Sequence, residues 1–273
     1  MRDLRGKTVL VTGAASGLGR ELALCAGKEG AVLLLADIDP QGVKETSGLL
    51  RRTGVESREY VVDVSDSSQV KAVAEAVLGE FGGLDVLINN AGVFVWADFI
   101  DTTPEDWEWV MGVNLWGPIL TIRAFLPGMI ERGSGHIVNI ASLGGLVTMP
   151  TLSAYSTAKF GLVGLTETLQ HELEPLGISV TLVCPGNIRT PIIDRVVVRG
   201  YDRAKLFKFS YGLMPRMAPE RAAAKIIKGI KEDRPMIVLT PLANFMYALK
   251  RFSPNLYRIL FGRFAYKICR RMR

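Results

Sequence analysis

Short runs of β-branched and aliphatic residues alternate along this chain with longer stretches whose apolar residues recur at helical spacing. Such alternation marks strand-helix-strand units that feed a parallel sheet. The runs at 8–12, 31–37, 56–62, 86–89, 136–140, 179–183 and 236–239 read as strands. The spacing predicts helices over 17–28, 39–52, 67–81, 104–131, 153–173 and 219–231. Asp66 ahead of Ser67 starts one helix with a capping side chain, and Pro104 after Thr103 starts another with a proline in its first turn. No repeat, low-complexity tract or glycine-serine linker divides the chain before residue 233. The expected class is α/β, a doubly wound, seven-stranded parallel sheet with helices on both faces.

Composition changes this picture little; charge changes it more. At 273 residues the chain suits one large α/β domain, and 48% hydrophobic against 22% charged residues is an ordinary globular balance. Cys25, Cys184 and Cys269 are scattered, form no CxxC pair and have no histidine at metal spacing. They point to a reducing compartment and away from a disulfide framework or metal site. The apolar run at 8–11 is too short for a signal-peptide core, and no uninterrupted apolar stretch follows of the roughly eighteen residues that a span needs. The net charge of +6 is uneven: residues 234–273 hold nine Lys or Arg and no Asp or Glu, which leaves 24 basic against 27 acidic residues, or −3, in the remainder. A mildly acidic body with a basic tail is not a nucleic-acid surface, and no helix-turn-helix or aromatic-basic RNA motif is evident.

Gly13, Ser16, Gly17, Leu18 and Gly19, in the run Thr12-Gly-Ala-Ala-Ser-Gly-Leu-Gly19, follow the first strand and open the first helix. Glycines let the backbone turn tightly and approach a pyrophosphate, whose charge the free amides of a helix N-terminus favour. The expected fold is thus of Rossmann type. Asp37 ends the second strand about twenty residues later, where a carboxylate accepts hydrogen bonds from the adenosine ribose. A 2′-phosphate would meet a like charge there, and no Lys or Arg stands directly after Asp37 to receive one, so NAD is expected over NADP. Arg20 reads as an exposed helix residue. Asp63 and Val64 end the third strand, and Asn89, Asn90, Ala91 and Gly92 the fourth, both at the carboxyl edge where open α/β sheets bind ligands. Asp63 as a helix cap and the two asparagines as turn formers are the plainer alternatives.

Further along, Tyr155 and Lys159 stand four residues apart in a helix-like stretch, thirteen positions after Ser142. That spacing sets an ammonium beside a phenol and favours the phenolate. His136 and His171 have neither a serine-acid constellation nor a second ligand, and both read as structural.

Taken together, TGAASGLG at 12–19, Asp37, Asp63-Val64, NNAG at 89–92, Asn114, Ser142, YSTAK at 155–159 and Pro185-Gly186 with Thr190 resemble the short-chain dehydrogenase/reductase family, in its compact branch. The resemblance runs from residue 4 to about 240. It implies an oxidoreductase that interconverts an alcohol and a ketone or aldehyde. Tyr155 would be the acid/base, Ser142 would hold the reacting oxygen, and Lys159, together with the positive nicotinamide, would lower the phenol pKa, Lys159 also holding the nicotinamide ribose. Asn114 would keep a water in a relay from Lys159. Pro185, Gly186, the Ile188 backbone and the Thr190 hydroxyl would meet the nicotinamide end. The resemblance also implies a homodimer or homotetramer built on helices 104–131 and 153–173.

Residues 1–233 read as a single NAD-binding and catalytic domain with a substrate lid near 190–218. Residues 234–273 read as the last strand and a basic, aromatic-rich helical tail. The loops at 93–96 and 143–149 and the stretch with Val196, Phe207, Phe209, Tyr211, Leu213 and Met214 are mainly apolar, so a lipophilic substrate, steroid, retinoid or acyl-derived, is expected. Arg195, Arg199 and Arg203 would suit a phosphate only if they face inward. In the tail, Leu242, Phe245, Met246, Leu249 and Phe252, then Leu256, Ile259, Leu260 and Phe264, recur at helical spacing among arginines, as in a helix lying at a lipid surface. A sister subunit or the lid are the alternative partners. The expected location is cytoplasmic, with peripheral membrane contact; a catalytically silent NAD-sensing scaffold is the alternative function.

Overall fold

The computed structural model describes residues 3–193, 195–212 and 216–273. Leu213 and Met214 of the expected lid, and the side chains of Phe209 and Tyr211, lie outside the described residues.

The β-branched runs form β1 (Thr8–Thr12), β2 (Val32–Asp37), β3 (Ser57–Val61), β4 (Val86–Asn89), β5 (Val95–Trp96), β6 (Gly135–Ile140), β7 (Ile178–Cys184), β8 (Val197–Val198) and β9 (Met236–Val238). Seven of them make one parallel sheet in the order β3-β2-β1-β4-β6-β7-β9, while β5 and β8 pair separately. Strand order reverses between β1 and β4, and the crevice at their carboxyl ends is where such sheets receive ligands. The expected seven strands and their connectivity are present; β5 and β8 were not foreseen.

Between the strands run α1 (Gly17–Lys28), α2 (Pro40–Arg51), α3 (Ser67–Phe81), α4 (Pro104–Met111), α5 (Gly117–Arg132), α6 (Ser153–Leu173), α7 (Arg203–Gly212) and α8 (Pro219–Lys231). Three of the starts have a side-chain cap. Asp39 and Asp66 accept from backbone amides at the heads of α2 and α3, and Thr103 with Asp106 forms a capping box on α4. Asp66 caps α3, so Asp63 does not.

Alternation within the strands builds two cores. Val9, Val11, Leu33 and Leu35 face one side with α1 and α8, whereas Leu10, Leu34, Leu87 and Ile137 face the other with α3, α5 and α6. Helix 104–132 is long and apolar enough by composition to cross a membrane, but it lies in this second layer as a core helix. It is not continuous α-helix. A π-helical segment, Gly112–Trp116, joins α4 to α5.

The tail continues as α9 (Pro241–Phe252), α10 (Pro254–Tyr257), a π-helical segment at Arg258–Gly262 and α11 (Arg263–Arg270). Its apolar residues do not form one face. Met246 and Tyr257 are buried with Leu249 and Phe261 against Leu146, Val147 and Leu182, whereas Phe245, Phe252, Leu256, Ile259, Leu260 and Phe264 are exposed.

Candidate active site

The loop between β1 and α1 is shaped by contacts that only glycine permits. Gly13 has φ +67°, and a Cβ at Gly19 would stand 2.0 Å from the Gly13 carbonyl oxygen. Ser16 precedes α1 without capping it through its side chain, so the first amides of the helix are left for an anion. Asp37 organises the loop from the next strand: its Oδ2 accepts from Ala15 N at 2.9 Å and its Oδ1 from Asp39 N at 3.0 Å. Each oxygen keeps acceptor capacity for a ribose hydroxyl. These residues fit a dinucleotide.

Neighbouring residues tighten the same cradle. Thr12 Oγ1 accepts from both Asn90 N and Ala91 N, while Asn90 Nδ2 donates to Thr12 O at 3.0 Å. Thr12 was missed as a site residue, because a threonine at a strand end carries no signal of its own. Arg20 is not the exposed residue expected: it donates to Thr46 Oγ1 and Ala15 O and pairs with Glu45, tying the loop to α2. Asp63 Oδ1 accepts from Ser65 N and Oγ in a local turn, beside buried Val64. Asn89 is no turn former. It is buried, donates to Asn139 Oδ1 and accepts from Thr121 Oγ1.

At the other end of the crevice, Pro185 and Gly186 follow β7, and Gly186 approaches Thr240 so closely that a Cβ would lie 2.3 Å from its Oγ1. The chain 187–189 bridges to Met217 through Asn187 O and Arg189 N, which leaves the Ile188 amide and carbonyl directed the other way. Thr190 packs against Gly17, where a Cβ would meet it at 3.2 Å. The expected nicotinamide-end residues and the phosphate loop therefore line one cleft.

Tyr155 and Lys159 project from the first turns of α6. Lys159 is buried, its Nζ donates to Ile140 O at 2.9 Å and lies 5.9 Å from the centre of the Tyr155 ring. Burial draws its pKa down to about 8. Cys184 is the nearby titratable group, but burial pushes that thiol up to about 12, so it stays neutral and is no counter-ion. Tyr155 is held above the ordinary phenol value by burial, with a hydrogen bond from Ser142 acting the other way. Burial of both groups thus acts against charge on either, so the phenolate needs a further positive charge beside it.

Ser142 Oγ accepts from Gly144 N at 3.0 Å, which fixes the hydroxyl at the head of a short 3₁₀ turn. A Cβ at Gly144 would fall 3.1 Å from Tyr155 Cε1 and 3.5 Å from Ser142 Oγ, so that glycine lets the two hydroxyls share one site. Phe94 packs edge-on against the Tyr155 ring, centroids 5.7 Å apart. Asn114 sits in the π-helical segment, fully buried. Its Nδ2 donates to Val93 O and Val110 O, both at 2.8 Å, and its Oδ1 accepts from Val93 N at 3.3 Å. Gly92 brings Asn114 and Lys159 together, since a Cβ there would lie 3.0 Å from Asn114 Oδ1 and 3.8 Å from Lys159 Nζ. The Asn114 amide donors are thus spent on backbone, and only the Oδ1 side remains for a water.

The surroundings are apolar: Trp96, Leu152, Val196 and Leu206 form a buried cluster on which Tyr155, Phe94 and Phe207 pack. The arginines of the lid do not turn inward. Arg195 pairs with Asp39, Arg199 makes two hydrogen bonds to Asp106, and Arg203 stacks over Phe207. His136 is buried against Thr181 Oγ1, and burial draws its pKa down to about 4, so its 4.0 Å approach to Asp233 is no ion pair at neutral pH. Two cavities open elsewhere, one between Leu10, Val62 and Phe125 and one beside Asp3, Arg5 and Lys231; neither touches Tyr155.

Comparison with known proteins gives this arrangement a lineage. Residues 7–197 match the model of the short chain dehydrogenase family. The chain is 36% identical over 264 residues to the Mycobacterium tuberculosis protein named "Probable oxidoreductase EphD", covering 92% of this chain and 44% of that one. It therefore spans less than half the length of that relative. It is 33% identical to human estradiol 17-beta-dehydrogenase 11, covering 93% of this chain and 81% of that one. Among solved structures, a short-chain dehydrogenase/reductase from Burkholderia phymatum in complex with NAD superposes with a TM-score of 0.85 at 32% identity, over 94% and 96% of the two chains. Family model, relatives and solved structures agree, and the chain belongs to the short-chain dehydrogenase/reductase family of nicotinamide-dependent oxidoreductases.

Proposed function

We propose that this protein interconverts a lipophilic alcohol and its ketone or aldehyde, with NAD preferred over NADP. The observation that carries the reading is the Tyr155 and Ser142 hydroxyls held together beneath an apolar cluster, with Lys159 buried behind them. Gly13, Ser16, Gly17, Leu18, Gly19 and Asp37 would bind the dinucleotide, and Ile188 and Thr190 its nicotinamide end. When bound, the dinucleotide would supply the hydride acceptor and, in its oxidised form, a positive charge that favours the phenolate.

Tyr155 takes the hydroxyl proton of the alcohol in oxidation and returns it to the carbonyl oxygen in reduction. Ser142 donates to that oxygen, orients it and steadies the charge that develops on it. Lys159 bears its proton against Ile140 O and stabilises the phenolate once the active site is charged. Asn114 Oδ1, adjoining Gly92, holds a water through which the proton passes outward. Preference for NAD rests on Asp37, whose carboxylate is fixed beside the glycine loop by Ala15 N and Asp39 N and would repel a 2′-phosphate. The apolar cluster offers no ionic partner, which favours a steroid-, retinoid- or acyl-like substrate over a charged one.

NADH absorbance followed with a panel of lipophilic secondary alcohols tests the reading. Tyr155→Phe should lower turnover by roughly 10²- to 10⁴-fold and leave NAD affinity unchanged. Because the tyrosine stands above its ordinary pKa before cofactor binds, alcohol oxidation should rise with pH and ketone reduction should fall. Equal turnover by the phenylalanine variant would refute the mechanism. The exposed apolar residues of α9 to α11, set among arginines, support peripheral contact with an anionic membrane surface. Helices α4, α5 and α6 would build a homodimer or homotetramer.

A further inference from the structure

After running along one flank of the body, the tail returns over the substrate end. Cys269 and Met272 are buried among Trp96, Leu152, Val196 and Leu206, the cluster against which Tyr155 also packs. Asp202 N donates to Met272 O at 2.8 Å, so lid and tail share a backbone hydrogen bond. Arg273 then reaches 2.6 Å to Asp98 Oδ2 and 3.1 Å to Asp101 Oδ2. Its guanidinium lies 5.6 Å over the Tyr201 ring, whose hydroxyl donates to the second oxygen of Asp98 at 2.7 Å. The loop after β5, the lid and the tail therefore meet at one ionic junction.

Earlier tail residues grip the loop that joins Ser142 to Tyr155. Lys250 Nζ donates to Leu146 O at 2.8 Å, and Tyr257 Oη to Thr148 O at 3.0 Å. Cys269 packs in one cluster with Leu152, whose neighbour Thr151 is a β-branched residue with φ +71°. That left-handed conformation is strained for threonine and persists only where its surroundings hold it. A tail that merely covered the flank would end at the first two contacts. This one continues to Leu152, next to that strained residue and three positions from the acid/base tyrosine.

We propose that residues 268–273 are a cap on the substrate pocket, in which Ile268, Cys269 and Met272 form part of the wall around Tyr155 and Arg273 latches the cap to Asp98 and Asp101. Met272 is a specificity-determining residue that limits the length of alcohol accepted. Arg273 is a positioning residue, because it acts through the cap and touches no reacting atom. The inference rests on the proposed oxidation of a lipophilic alcohol.

The test uses the full chain with Met272→Ala, Met272→Trp, Arg273→Ala and Arg273→Lys. kcat and KM are measured with NAD over a homologous series of straight-chain secondary alcohols, with NAD affinity as the control for folding. Met272→Ala should shift the preferred chain length upward and Met272→Trp downward, each changing kcat/KM for the flanking alcohols by about tenfold. Arg273→Ala should raise KM severalfold with kcat little changed, lysine should restore part of the loss, and high salt should reproduce it in the unaltered protein. Alkylation of Cys269, followed by peptide mass, reads the latch without a substrate and should be roughly tenfold faster in Arg273→Ala, as expected when a buried thiol gains access. An unchanged chain-length profile removes the wall, and an unchanged alkylation rate removes the latch. If the unaltered protein binds NAD but oxidises none of the alcohols, the proposed reaction fails, and the alkylation rate alone decides the cap.

Discussion

A lysine buried without a carboxylate is an expensive residue, and Lys159 is one: a carbonyl oxygen, Ile140 O, is the hydrogen-bond partner of its ammonium. Its pKa of about 8 lies below the ordinary lysine value of 10.5, so between these values the unfolded chain binds the proton that the folded one has released. Stability should therefore rise with pH across that window, and the full cost is present below about pH 8. Lys159→Met should abolish activity yet raise stability at pH 7 by about 2 kcal/mol, a gap that narrows toward pH 10. Urea denaturation at the two pH values checks this, and a lysine that proves stabilising at pH 7 would contradict it. At this scale the candidate catalytic residues were legible, because Tyr155 and Lys159 lie about one helical turn apart and Ser142 close before them. Gly144, Thr12 and Thr151 were not, because each matters through an approach made only in the folded chain.

Helices and strands hold these side chains through a buried polar ladder. Thr121 on α5 donates to Asn89 Oδ1 on β4, Asn89 Nδ2 donates to Asn139 Oδ1 on β6, and Asn139 Nδ2 donates to Thr166 Oγ1 on α6. The ladder crosses the sheet directly beneath the NNAG turn and ties the helix bearing Tyr155 to the strand that feeds the cofactor loop. Thr121→Val keeps the shape but leaves Asn89 Oδ1 without this donor, and should cost about 1–3 kcal/mol in denaturant midpoint. The same substitution in an Asn139→Leu background should cost less, since the partner chain is already broken; strict additivity would show the ladder to be uncoupled. The long elements were readable from periodicity alone. The two-residue strands β5 and β8 were not, for two residues have no period and their pairing joins segments about a hundred positions apart. The π-helical segment at Asn114 was hidden for a related reason: the helix pattern continues through it, and its widened turn is fixed by the bonds that Asn114 makes to Val93 and Val110.

For the whole molecule, the tail decides how body and surroundings meet. Its outward residues Phe245, Phe252, Leu256, Ile259, Leu260 and Phe264 are exposed, with Arg258 and Arg263 beside them, while Met246 and Tyr257 face the core. Co-sedimentation with vesicles containing anionic lipid should therefore fall at least severalfold in a Phe252→Ser/Leu260→Ser/Phe264→Ser variant, with the thermal midpoint unchanged because none of the three is buried. Equal binding would remove membrane contact. Sequence periodicity overstated this face, since it cannot separate apolar residues that stay exposed from those that meet Leu146 and Leu182. The sheet itself carries a further consequence of the tail. One margin is β3, where Arg58 and Glu59 discourage a second sheet from pairing; the other is β9, three residues long, beside the almost wholly apolar β7. Short and charged margins are how β proteins keep their open backbone from recruiting copies of themselves. Cutting the chain at residue 233 would remove β9 and leave one side of β7 unpaired, so the basic tail that meets the surroundings also guards the protein against self-association into fibres.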